Sequence, residues 1–108
     1  MEHIEKKGPV TVAANEGQAL SVIGDTYRVI LSGDTTGGAL AAIEMFIPPG
    51  GGPGPHAHTL MEESFYVLEG EIEFKSENGT YTAGKGAYVH IPKGGLVHCF
   101  RNKTANVA

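Results

Sequence analysis

Residues 50–70, GGGPGPHAHTLMEESFYVLEG, decide how the rest of the chain is read. On an extended strand, side chains two apart share a face, so His56 and His58 can aim imidazole nitrogens at one point while Ala57 turns away. The Gly- and Pro-rich run from Pro48 to Pro55 excludes a helix and suits an irregular loop that delivers the chain into a strand. Ligand spacing of the helical H-E-x-x-H kind is therefore the wrong template. Two adjacent carboxylates follow, Glu62 and Glu63, and alternation lets only one of them share a site with the histidines. A late histidine, His98, can join them if the strands fold back on one another. Imidazoles and a carboxylate converging on one point are the donor set of a divalent metal.

Outward from this stretch the chain reads as strands and turns. Val10–Ala13 and Leu20–Ile23 are short apolar pieces around Asn15-Glu16-Gly17, and Tyr27–Leu31 alternates. Ala39–Ile47 places Ile43, Met45 and Ile47 on one face and Glu44 on the other. Phe65–Leu68 and Glu71–Phe74 are hinged at Gly70, and Asn78-Gly79 marks a hairpin between Phe74 and Tyr81. Gly86–Ile91 and Leu96–Phe100 are separated by the turn Pro92–Gly95. About nine short strands without a helical period imply an all-β sandwich or barrel.

The spacing is similar to that of the cupin superfamily. Gly50, His56-Ala-His58, Glu63 and Gly70 resemble the first cupin motif, over residues 50–70. Gly86, Pro92-Lys93-Gly94, His98 and Asn102 resemble the second, over residues 86–102. One departure stands out: three residues separate Gly94 from His98 where the family pattern usually has two. Val10 to Asn102 as a whole resembles small single-domain bacterial cupins described as quercetin-dioxygenase-like.

The resemblance implies a double-stranded β-helix, the jelly-roll barrel, occupying residues 1–108 as a single domain. It also implies one divalent ion per chain (iron, manganese, nickel or zinc) held by His56, His58, Glu63 and His98. Glu63, rather than Glu62, fits the spacing to Gly70; it would ligate, or swing to act as a catalytic general base. The implied activity is a metal-dependent reaction on a small organic molecule, with dioxygenase chemistry leading. A non-redox isomerase or decarboxylase, and a non-catalytic ligand- or metal-binding module, are the alternatives, because one fold hosts many functions.

Other side chains carry weaker readings. Phe65 and Val67 share the face of Glu63, and Phe100 that of His98; they form either an apolar wall around the ion or ordinary core. His90 is a pocket acid or base, or, more simply, a hydrogen-bonded strand residue. Met61 lines the entrance or fills a gap. Cys99 points away from His98, Glu44 lies at solvent or at an interface, and His3 is a solvated terminal residue.

With 41% hydrophobic residues and a formal charge of −4, the 108-residue chain offers no basic stripe for nucleic acid or an anionic membrane. One cysteine and no apolar run of membrane-spanning length make the cytoplasm the expected compartment. Few residues follow Asn102, so the roll is expected to lack its last strand or to complete it differently. The open edge this leaves suggests a homodimer.

Overall fold

The computed structural model describes residues 8–22, 24–55, 57, 61–95 and 97–108. Among these there are eight strands and no helix: β1 (Gln18–Val22), β2 (Asp25–Leu31), β3 (Ala42–Phe46), β4 (Glu63–Tyr66), β5 (Glu71–Ser76), β6 (Gly79–Gly84), β7 (Tyr88–Ile91) and β8 (His98–Arg101). They form three antiparallel sheets in the orders β1-β2-β3, β4-β7 and β6-β5-β8. The all-β class is therefore as expected.

The core is built where the period-2 pattern places large apolar side chains on facing sheets. Phe65 of β4, Phe74 of β5 and Phe100 of β8 meet with ring centroids 5.4–5.5 Å apart. Ile47, Val67, Ile72, Ala83, Val89 and Ile91 close around them. Each fully buried Phe or Ile contributes roughly 1.5–3 kcal/mol through removal of apolar surface from water.

The first sheet is tied to the others at one end. There the glycine loop and the tail both meet Asn102, which is completely buried. Its amide nitrogen donates to Ile47 O (2.8 Å) and Asn106 O (2.6 Å), and its Oδ1 accepts from Thr104 N (2.9 Å) and Thr104 Oγ1 (2.7 Å). Its backbone pairs with the loop, Gly50 N to Asn102 O at 2.7 Å and Asn102 N to Gly51 O at 2.9 Å. Ile47 and Ala108 exchange two backbone bonds, at 2.7 and 2.9 Å, beside it.

Three local expectations are corrected. Val10–Ala13 forms no strand; its β propensity has no neighbouring strand to pair with among the described residues. The β5–β6 hairpin turns on Glu77-Asn78, one residue earlier than Asn78-Gly79, because Ser76 pairs with Gly79 and makes that glycine the first residue of β6. Glu44 is neither free at the surface nor at an interface; it is half-buried and receives a 3.0 Å bond from Arg28 Nε.

Gly52 shows why the loop needs its glycines: at φ +133° a Cβ there would fall inside the contact distance of Phe100 O, whereas at Gly50 (φ +79°) it would meet open space. Gly50→Ala is thus expected to cost only the left-handed penalty of about 1–2 kcal/mol. Gly52→Ala must also displace β8 and costs more, as compared by urea denaturation. Replacing Asn102 with Ala strips four hydrogen bonds from buried or half-buried partners. A loss of about 2–4 kcal/mol of unfolding free energy is expected, and a change below half a kcal/mol would contradict the anchoring role.

Candidate metal centre

Strand alternation and register build the site from two facing sheets. On β4, Glu63, Phe65 and then Val67 turn inward, while Glu62, Ser64, Tyr66 and Leu68 are exposed. On β8, His98 and Phe100 turn inward and Cys99 turns away. Phe65 and Phe100 make an edge-on ring contact across the interior at 5.4 Å. One step back along both strands, about 6.8 Å for two residues, the corresponding pair is Glu63 and His98, with Oε1 and Nε2 3.4 Å apart. His98 is 4% exposed. The carboxylate and the imidazole are therefore neighbours on consecutive rungs of one interior ladder.

The longer turn before β8 does not prevent this meeting. Gly94 takes φ +64° and Gly95 N bonds Pro92 O at 3.0 Å, so the turn closes before β8 begins. The glycine loop runs along β8 from the other side, through the Gly50 and Gly51 bonds to Asn102 and the close approach of Gly52 to Phe100. By Pro55 it borders the same shallow cleft as Val97 and His98, of about 260 Å³.

Of the four expected ligands, the structure brings Glu63 and His98 together; His56 and His58 lie outside the described residues. Glu62 points to solvent. Two donors of different type, held within the reach of one ion and largely shielded from water, fit the carboxylate and imidazole share of a divalent site. Phe65, Val67 and Phe100 are core residues that also line an apolar cavity of about 680 Å³ between β3 and β4, which neither Glu63 nor His98 borders. The apolar wall is thus present, but its cavity is displaced from the pair. His90 is exposed on the outer face, with Nδ1 2.8 Å from Ser64 Oγ, which matches the simple strand reading. Met61 is 53% exposed, and Cys99 is a half-buried free thiol on the opposite face from His98.

One residue of this region escaped the sequence reading. Asp25, 3% exposed at the start of β2, accepts a bond from the Gly52 backbone amide, while its Oδ1 has no hydrogen-bond partner. Burial raises its pKa above the ordinary 3.8, against the lowering effects of the Gly52 bond and the Arg101 charge. Burial, with the Asp25 charge second, also raises Tyr27, two residues along the same face. A carboxylate directly after Gly24 reads as turn chemistry; the only signal was its place in register with the inward face of β3.

The sign of the Asp25 effect follows from linkage. A carboxyl whose pKa is higher folded than unfolded contributes stability that is complete below the unfolded value and is lost as pH rises through the folded one. Asp25→Asn keeps an acceptor for Gly52 but cannot ionise. It should be more stable than the parent at neutral pH, with the advantage fading toward pH 4, as followed by denaturant unfolding across that range. An equal pH slope in both proteins would remove Asp25 as the source.

Comparison with known proteins agrees with this architecture. Over 93 residues, 86% of this chain, it is 25% identical to quercetin 2,3-dioxygenase of Bacillus subtilis (strain 168), and the match covers 27% of that enzyme's length. The structure resembles a predicted oxalate decarboxylase from Thermotoga maritima, with a TM-score of 0.81 and 21% identity over 91% of each chain. It also resembles a sugar phosphate isomerase of the cupin superfamily from Silicibacter pomeroyi, with a TM-score of 0.66 and 24% identity over 79% of this chain and 55% of that one. At these identities the structural likenesses establish the fold. The cupin-domain family model matches residues 43–108, from β3 through both histidine-bearing segments to the tail; this chain belongs to the cupin superfamily.

Proposed function

We propose that this cupin binds one divalent metal ion per chain through His56, His58, Glu63 and His98, and uses it to transform a small organic molecule, with dioxygen chemistry leading. The observation that carries the reading is the approach of Glu63 Oε1 to His98 Nε2 at 3.4 Å in the interior. The similarity to a quercetin dioxygenase over most of the chain favours dioxygen over other chemistries. An iron, manganese or nickel ion would supply redox chemistry and Lewis acidity there; zinc would supply Lewis acidity alone.

The chain's own residues have distinct tasks in this scheme. His98 is fixed by its place on β8, one rung from Phe100, and presents Nε2 inward. Glu63 holds or accepts a proton at Oε1. The rings of Phe65 and Phe100 keep water from that side of the pair. Substrate enters beside the glycine loop, where Pro55, Val97 and His98 border the shallow cleft.

After reconstitution with iron, manganese, nickel or zinc, elemental analysis should give close to one ion per chain. Glu63→Gln and His98→Ala should each weaken retention by at least about tenfold, the scale that even outer-shell partners of a metal command. Oxygen uptake by the iron form with a flavonol or diketone panel supports dioxygenase chemistry. Turnover without oxygen consumption supports the isomerase or decarboxylase reading, and saturable binding without product supports a binding module. Metal content that stays far below one per chain, or is unchanged in both variants, overturns the site.

A further inference from the structure

We propose that the slot between β3 and β4 is a strand acceptor, filled by residues Val10–Ala13 of a second copy of this chain in a reciprocal two-fold exchange. The inference is independent of the metal. β3 is the edge of the β1-β2-β3 sheet and β4 the edge of the β4-β7 sheet. The apolar cavity of about 680 Å³ between them is bordered by consecutive residues, 41–47 on one side and 64–69 on the other. A cavity lined by every residue of a strand, rather than every second one, runs along that strand's edge, where its backbone donors and acceptors point.

The tail shows what such a slot accepts. Ala108 sits at one end, exchanging both backbone bonds with Ile47, while its side chain abuts Gly70, where an added Cβ would lie 3.0 Å from Ala108 Cβ. That is the first rung of a strand beside β3. The remaining five residues of β3, Ala42–Phe46, leave about 17 Å of edge at strand spacing.

Val10-Thr11-Val12-Ala13 has the complementary character. Its β-branched residues alternate in a way that places Val10 and Val12 on one face, yet it forms no strand and leaves Val10 60% exposed. Its own slot is out of reach. Glu16 N bonds Ala13 O at 3.0 Å, folding the connection to β1 into a turn, and Arg28 Nη1 grips Glu16 O at 2.7 Å. Since β1 and β3 flank β2 on opposite sides, this turn holds the segment two strand spacings, about 9.6 Å, from β3 and on the wrong side of the sheet. A second molecule has no such restraint, and a two-fold arrangement satisfies both slots at once.

Hydrogen exchange on the wild-type protein at about 1 and about 100 µM should show amide protection in residues 42–46 and 64–66 that rises about tenfold or more with concentration. Sedimentation should show a dimer at the higher concentration. The Val10→Asp/Val12→Asp double variant should be monomeric with an unchanged far-ultraviolet spectrum. A synthetic peptide of residues 8–14 added to it should shift the β3 and β4 amide resonances. A wild-type monomer at the higher concentration, a dimer untouched by the double substitution, or protection without concentration dependence at β3 and β4 would each overturn the proposal.

Discussion

The fold hangs on a buried primary amide. The backbone and side-chain bonds that join the β1-β2-β3 sheet to the rest of the chain gather at Asn102 and its neighbours: Ile47 O on the amide nitrogen, the glycine loop on the backbone, Ala108 against Ile47 alongside. A neutral amide suits this place because it both donates and accepts. A carboxylate would accept from Thr104 but could not donate to Ile47, and would bring an uncompensated charge into the core. The same residue closes β8, so the strand that carries His98 and the loop that precedes His56 are fastened to one point.

Fold and site are consequently not separable parts of this protein. The Phe65–Phe100 contact and the Glu63–His98 approach are successive rungs of a single ladder between facing sheets. A slip of one residue in either strand would turn both Phe65 and Glu63, or both Phe100 and His98, toward solvent. Hydrophobic burial therefore fixes the polar geometry: the cost of exposing a phenylalanine enforces the inward aim of a carboxylate or an imidazole that has no such drive of its own.

Much of this was legible in the residues because it depends on a period of two. Alternation alone separated Glu63 from Glu62 and put Phe65 and Phe100 beside the polar pair, and the glycine and proline fences located the turns. What sequence could not supply depends on partners distant along the chain. Val10–Ala13 has the propensity of a strand but no neighbour to realise it. Asp25 looks like a turn residue until the glycine loop is seen to cover it. Phe65, Val67 and Phe100 were readable as an apolar wall, but their cavity opens toward β3, a direction set by sheet order rather than by any local pattern.

The tight hairpin between β5 and β6 has an effect on the chemistry that its two-residue turn conceals. Ser76, the last residue of β5, is the register partner of His98, so the polar pair lies a single rung beneath the hairpin tip at Glu77-Asn78. How far that tip overhangs His98 is set by the number of turn residues and by nothing in the ligand set. Insertions there could convert an accessible centre into a roofed one while leaving every donor atom in place, which makes the hairpin length an independent dial on solvent access within an otherwise fixed barrel.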